Sequence, residues 1–172
     1  MIENKVAKSG LITIDLEQFR ETAEVVSFDL KDYLFMELIL KEKDFREALE
    51  KLDWSQFENK IIAVHCSTDA IIAHWAYMLV TAHANGFAKN VLIGTPDEVK
   101  LSLMLDNLRR HDWKQYDDKR VLLKGCSEEE MNPAVYAAAT ERLLAHANRL
   151  MYGEACSFVP VYRKKRSKPI RS

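Results

Sequence analysis

The sequence predicts an α/β fold with a mostly parallel sheet, and two observations support that prediction. Short apolar segments rich in β-branched residues alternate with longer segments of helical periodicity, which is the pattern of strands joined by helical crossovers. The second observation is an internal duplication of a helix-strand-helix-strand unit. We expect one α/β domain over residues 1–162, with repeat copies at about 44–94 and 96–153 and an N-terminal β-strand pair.

The duplication is visible when residues 52–67 (LDWSQFENKIIAVHCS) are set against residues 111–127 (HDWKQYDDKRVLLKGCS). The second copy has one extra residue before its cysteine. The identical pairs are Asp53/Asp112, Trp54/Trp113, Gln56/Gln115, Lys60/Lys119, Cys66/Cys126 and Ser67/Ser127, and the match continues to Tyr77/Tyr136 and Gly94/Gly153. Tryptophan and cysteine are rare residue types, so their repetition indicates two copies of one unit.

Composition and charge favour an ordinary globular protein of the cytoplasm. The chain is 48% apolar and 30% charged, and its 25 basic residues almost equal its 26 acidic ones. Such a balance creates no overall field toward nucleic acid, which is an unlikely partner. No segment has the roughly 18 apolar residues of a membrane span, and the N-terminus lacks a secretory signal.

The N-terminal part predicts two strands. Residues 10–16 (GLITIDL) and 25–30 (VVSFDL) both alternate apolar and other residues at period two, and they could form a hairpin. Residues 32–40 (DYLFMELIL) are apolar on too many sides for periodicity to assign. Their length and the lysines that follow favour a buried turn or short helix.

The first repeat copy predicts a helix, a strand and a second helix. Asp44, with Glu47 three residues later, can cap a helix that runs to about Leu52. Residues 60–64 (KIIAV) form a short strand. Residues 70–85 form a helix that is apolar on most sides and therefore buried, ended by the C-cap signal of Asn85 and Gly86.

The second copy repeats this order. After a strand at 91–93, Thr95, Pro96 and Glu98 supply an N-cap, a first-turn proline and a capping glutamate for a helix that ends near His111. A strand at 121–124, a helix from Asn132 to about Arg149 and a strand at 150–152 follow. Residues 163–172 (RKKRSKPIRS) form a basic tail that we expect to be disordered.

The repeated Asp-Trp pair is interpreted as structural. At a connection from helix to strand, the tryptophan packs over the sheet and the aspartate hydrogen-bonds the turn.

The cysteines are the candidate chemical groups. Cys66 and Cys126 lie where a strand ends and a helix begins, at the carboxyl edge of a parallel sheet where ligand sites occur. A helix N-terminus lowers a thiol pKa, whereas the acidic residues that follow both cysteines favour a cation as neighbour. Catalytic thiols, metal ligands and buried packing residues all remain open.

Cys156 follows the last predicted strand and could converge on the other two thiols. Cys66, Cys126 and Cys156 with His65, Asp69 or Glu154 would make a ligand set for zinc or an iron–sulfur cluster. His65 would point to the other face of its strand from Cys66, where a half-buried histidine bonded to backbone is expected.

Common catalytic motifs are missing from the sequence. It contains no GxGxxG, GxxxxGK, HExxH or CxxC, and neither repeated cysteine is followed by the arginine of a phosphatase loop. Whether the protein is an enzyme is left open.

Six segments resemble an uncharacterised bacterial family, domain of unknown function 2480. They are KVAKSGLITIDLEQF, VVSFDLKDYLFMELILKEKDFREAL, LDWSQF, CSTDAIIAHWAYML, KGCSEEEMNPAVY and GEACSFVPVY. The resemblance covers nearly the whole chain apart from the tail and implies no established activity. It implies an iron–sulfur assembly context, with proteins of that assembly as partners. The family's Pro-Cys-Ser-Thr stands where this chain has Ala155-Cys156-Ser157-Phe158.

A remoter resemblance is to the aspartate/glutamate racemase superfamily, whose halves carry Cys-Asn-Thr-Ala and Gly-Cys-Thr-Glu. The corresponding stretches are CSTDA at 66–70 and GCSE at 125–128. This resemblance implies Cys66 and Cys126 as opposed acid and base thiols.

Three functions therefore stay open. The first is an accessory protein whose cysteines hold a metal or handle sulfur, and the second is a two-cysteine racemase or isomerase. The third is a non-catalytic interaction or regulatory module, which an exposed apolar patch would favour and which could be a homodimer.

Overall fold

A computed structural model describes residues 10–125 and 130–165. The chain divides into two compact units: unit 1 joins Met1–Arg20 to Met104–Ser172, and unit 2 is Glu21–Leu103. The described residues form mixed α/β structure with mostly parallel strands, as the sequence predicts, but the strands belong to two sheets. None of the described helices is long and apolar enough to cross a bilayer.

Unit 2 contains a three-stranded parallel sheet in the order β2-β3-β4. Its strands are β2 (Val25–Asp29), β3 (Ile61–His65) and β4 (Asn90–Ile93). Helix α1 (Glu42–Lys51) precedes β3, and helix α2 (His74–Ala84) connects β3 to β4. Helix α3 (Pro96–Arg110) follows β4 and contains the boundary between the units.

Unit 1 contains a four-stranded sheet in the order β1-β5-β6-β7. Strands β1 (Leu11–Ile14), β5 (Arg120–Lys124) and β6 (Arg149–Glu154) are parallel. Helix α4 (Pro133–Leu144) connects β5 to β6. Strand β7 (Ser157–Arg163) returns antiparallel to β6 and forms the edge of the sheet.

The two N-terminal strands are both present, but they do not form a hairpin. β1 pairs with β5, whereas β2 pairs with β3 in the other sheet. The sheet of each repeat copy therefore includes one N-terminal strand. At the end of each of these strands, the sequence Asp-Leu leads into a short 3-10 helix. The first such helix is Leu16–Phe19, capped by Asp15, and the second is Leu30–Tyr33, capped by Asp29.

The repeated Asp-Trp turns have the same structure in both units, which confirms their structural interpretation. Asp53 caps the 3-10 helix Trp54–Phe57, and Asp112 caps its copy Trp113–Tyr116. The turns then pass through left-handed residues, Asn59 at φ 61° and Asp118 at φ 57°. Asparagine and aspartate tolerate this conformation better than most residues.

The two faces of the unit 2 sheet have different coverings. Ile62 and Val64 pack with α1, α2 and Trp54 in the main core of the unit. Ile61 and Ala63, on the other face, pack against Val99 of α3. Alternate residues of one strand thus face two apolar layers, which explains why the strand is an unbroken apolar run.

Several predicted helix boundaries are wrong by a few residues. Helix α1 begins at Glu42, after Lys41 with no side-chain cap, so Asp44 lies inside the first turn and is not the cap. Helix α2 begins at His74 instead of residue 70. Helix α4 ends at Leu144, because Arg149 already belongs to β6. The Thr95 capping box and the Asn85 C-cap are confirmed.

The segment 32–40 is not buried. After the 3-10 helix, Phe35 and Ile39 form an isolated bridge around Met36 and Glu37, both at positive φ. Phe35, Met36, Leu38 and Ile39 are all exposed. The apolar run therefore forms an exposed turn. Periodicity alone does not distinguish such a turn from a core segment.

Strand β7 is not predicted by the sequence analysis. It contains Pro160, and proline is poorly compatible with the interior of a sheet but tolerated on an edge strand. Its last residue, Arg163, is the first residue of the predicted basic tail, of which residues 166–172 lie outside the described part.

Candidate functional site

The carboxyl edge of the unit 2 sheet brings together Asp29 from β2 and the segment after β3. One oxygen of Asp29 accepts hydrogen bonds from the backbone N–H groups of Lys31 and Ser67, both at 3.0 Å. Partial burial alone would raise the pKa of Asp29, but the hydrogen bonds from Ser67 and Lys31 outweigh it and lower that pKa. Asp29 is therefore an anionic link between the two strand ends.

His65 lies on the same face of the sheet, directly in register with Asp29. Its Nε2 atom is 2.8 Å from the Ser27 hydroxyl oxygen. The sequence predicts a backbone partner for this histidine, but the partner is a side chain. The register sets Asp29 opposite His65, and Ser27, two residues before Asp29, lies on the same face of the sheet. This side-chain hydrogen bond joins β2 to β3, and the tautomer of the histidine decides which group donates.

The start of α3 closes this edge with its own carboxylate. Glu98 accepts from the backbone N–H of Thr95 at 2.8 Å and from its hydroxyl at 3.0 Å. These bonds lower the pKa of Glu98, so the helix N-terminus already has its negative charge. An anionic ligand is disfavoured there for the same reason.

Cys66 points to the opposite face from His65, as the strand alternation predicts. Its side chain is half-buried and packs against the main core of unit 2. The sulfur is 3.3 Å from the Thr68 hydroxyl oxygen. Among the residues that the structure describes, Cys66 is thus surrounded as a packing residue is, with the Thr68 hydroxyl as a polar neighbour.

The carboxyl edge of the unit 1 sheet is a modified copy of the first. Asp15, the counterpart of Asp29, accepts from Lys124 Nζ at 2.8 Å, and Lys124 holds the position of His65. The hydrogen bond from Lys124 lowers the pKa of Asp15, and the same bond raises the pKa of Lys124. The hydroxyl of Tyr136 donates to the Lys124 carbonyl at 2.9 Å.

Of the other two predicted cysteines, Cys156 lies within the described residues, near the carboxyl end of β6. Cys126 is outside the described residues, and Gly125 just before it donates to the Gly153 carbonyl at 3.1 Å. Cys156 is exposed in the turn between β6 and β7. Within residues 10–125 and 130–165, no three His, Cys, Asp or Glu side chains are grouped closely enough to hold one metal ion.

Sequence reasoning placed Cys66 and His65 at a carboxyl edge but missed Ser27, Asp29, Asp15 and Lys124. A usable signal exists: Asp15-Leu16 and Asp29-Leu30 each follow a strand, at equal distance before their 3-10 helices. The Asp-Leu repetition is only two residues long, so it is too short to be recognised by itself. It becomes recognisable when each N-terminal strand is assigned to its own repeat copy.

Comparison with known proteins identifies the family. A family model described as "Protein of unknown function (DUF2480)" matches residues 1–164 of the 172. The chain belongs to the DUF2480 family. Neither a curated protein nor a solved structure matched it.

Unit 1 of this DUF2480 protein also has an apolar groove of about 400 Å³ between α4 and the strands β6 and β7. Its lining is Leu123, Met131, Pro133, Tyr136, Thr140, Leu150, Met151, Tyr152 and Val161. Tyr152 is 41% exposed and Val161 is 52% exposed.

Proposed function

We propose that this DUF2480 protein is a non-catalytic interaction module that works as a homodimer, with the groove of unit 1 as its interface. The groove is the observation that supports the proposal. Its walls are apolar except for one threonine and two tyrosine hydroxyls, and exposed apolar surface rimmed by polar groups is typical of protein interfaces.

The neighbouring edge strand adds to the apolar surface. Val159 of this strand is 61% exposed, and it is in register with Tyr152 of the groove. Residues in register lie on the same face of a sheet. Val159 therefore extends the groove surface toward the edge, where unit 2 has no corresponding strand.

A second copy of the chain is the favoured occupant for two reasons. The formal net charge is −1, so two copies repel each other little. A twofold axis also lets one apolar patch cover itself, which is the commonest arrangement among oligomers. Pro160 lacks an N–H on the edge strand, so we expect contact through side chains instead of strand pairing.

In light scattering at about 100 µM, we expect the wild-type protein to be a dimer and the Val161→Asp variant to be a monomer. The introduced carboxylate would be buried without a partner, which should raise the dimer Kd by at least about 100-fold. Ile71→Asp is the matched control, because Ile71 is 95% exposed in unit 2. A monomeric wild-type protein, or a dimeric Val161→Asp variant, would refute the proposal.

As a second candidate function, we propose that the cysteines hold zinc or an iron–sulfur cluster, or handle sulfur, for iron–sulfur assembly partners. The exposure of Cys156 in the β6–β7 turn favours this role. The bond between Gly125 and Gly153 also favours it, because Cys126 follows directly after Gly125. Cys66 is the third candidate of the sequence analysis, and its side chain packs against the core of unit 2.

Elemental analysis of protein purified without oxygen tests this second function. We expect zinc or iron in the wild-type protein and its loss when Cys66, Cys126 and Cys156 are all replaced by serine. Cys156→Ser alone should also lower the content. Equal zinc and iron in the wild-type and triple variants would exclude the cysteine site and leave the dimer proposal unaffected.

A further inference from the structure

Three arginines stand side by side across three neighbouring strands of the unit 1 sheet. Arg120 of β5 is in register with Arg149 of β6, and Arg149 is in register with Arg163 of β7. Residues in register share a face, and neighbouring strands are about 4.8 Å apart. The three guanidinium groups therefore form one row on one face of the sheet, which we call the arginine row.

Arg149 and Arg163 lie directly opposite each other on neighbouring strands, where like charges repel each other in the absence of negative charge. Within the described residues, no ion pair joins Arg149 or Arg163 to a carboxylate. Arg149 is half-buried, which reduces the screening of its charge by water. An anionic ligand would remove this repulsion.

The arginine row borders a pocket of about 350 Å³. Its other lining residues are Leu150, Met151, Phe158, Pro160, Val161 and Tyr162. The pocket thus joins a cationic row to an apolar and partly aromatic surface. Its volume is in the range of pockets that hold small molecules.

The residue type points to the class of anion. The chain has 15 lysines and 10 arginines among its 25 basic residues, yet all three positions of the row are arginine. Arginine offers a planar fork of N–H donors that matches phosphate and carboxylate oxygens in pairs, whereas lysine is a point charge. A phosphate monoester carries close to two negative charges at neutral pH, which suits more than one guanidinium.

We propose that the pocket bordered by the arginine row binds a small ligand that has a phosphate monoester on an apolar or aromatic body. The guanidinium groups of Arg149 and Arg163 hold the phosphate, and the body lies against Phe158 and Pro160. The site does not involve the cysteines, and its lining shares Leu150, Met151 and Val161 with that of the groove between α4 and the strands β6 and β7.

Titration calorimetry of the full chain with phenyl phosphate, inorganic phosphate and benzoate tests the proposal. We expect phenyl phosphate to bind at least about tenfold more tightly than inorganic phosphate, because only phenyl phosphate contacts the apolar wall. Benzoate should bind more weakly than phenyl phosphate, since it has one charge. Arg149→Met and Arg163→Met should each weaken phenyl phosphate binding about tenfold or more.

Arg142→Met is the matched control, since Arg142 is exposed on α4 in the same unit and lies outside the pocket lining. It should leave binding unchanged, and Arg163→Lys should lose part of the affinity because it keeps the charge without the fork. No saturable binding of phenyl phosphate to the wild-type protein would overturn the proposal. Equal loss in Arg142→Met, or tighter binding of benzoate, would also overturn it.

Discussion

Replacing Trp54 or Trp113 with alanine is expected to lower the free energy of unfolding by about 3–5 kcal/mol, which is the usual cost of removing a large buried aromatic side chain. These two residues are 7% and 5% exposed, at the same position of the two repeat copies. Urea unfolding followed by circular dichroism measures the loss.

The expected size follows from two kinds of contact. Each indole N–H donates to a backbone carbonyl five residues earlier at 2.8 Å, Leu49 for Trp54 and Leu108 for Trp113. Trp54 also stacks against Phe28 at 6.0 Å between ring centroids. Both alanine variants would leave a cavity and remove the bond from the indole N–H, and the two losses act in the same direction. The Leu108 carbonyl would keep its bond from the backbone N–H of His111, at 3.3 Å.

Two further variants separate these contributions. Trp54→Phe keeps much of the apolar area but loses the bond to Leu49, so it should cost about 1–3 kcal/mol. Trp75→Ala is the control, because Trp75 is only half-buried and should cost less than either repeated tryptophan. A loss at Trp54 no larger than at Trp75 would contradict the structural role of the repeat.

The sequence predicts the repeat and the α/β class because both depend on local patterns. The Asp-Trp turn, the Thr95 capping box and the unbroken apolar run of β3 are each contained within a few residues. Sheet membership is different, because the pairing of β1 with β5 joins residues more than 100 positions apart. Nothing in either segment alone distinguishes that pairing from a hairpin with β2.

The candidate sites show the same division. Cys66 and His65 are placed at a strand end by their position after an apolar run, whereas the contact of His65 with Ser27 requires the register of β2 against β3. The arginine row is invisible in the sequence, since Arg120, Arg149 and Arg163 are neighbours only through two strand registers. When a site is formed by side chains from different strands, the strand order and register must be known before the site can be recognised.

Replacing Gly153 with alanine is expected to lower the free energy of unfolding by at least about 2 kcal/mol. Gly153 has a φ of 127°, a conformation that side chains rarely adopt, and a Cβ there would lie 2.6 Å from the Ser157 carbonyl oxygen. That oxygen belongs to β7, so the clash would force the β6–β7 hairpin apart. Gly94, its counterpart in the first copy, has a similar φ of 137°.

Gly86→Ala provides the matched control for this second stability prediction. Gly86 also has a positive φ, 89°, but no atom lies within 4 Å of a Cβ at that position. Its replacement should therefore cost only the backbone strain, about 1–2 kcal/mol. Urea unfolding of both variants measures the difference, and equal losses would show that the close approach of β7 to Gly153 does not constrain the hairpin. A larger loss at Gly153 would mean that this glycine is required for the turn that exposes Cys156.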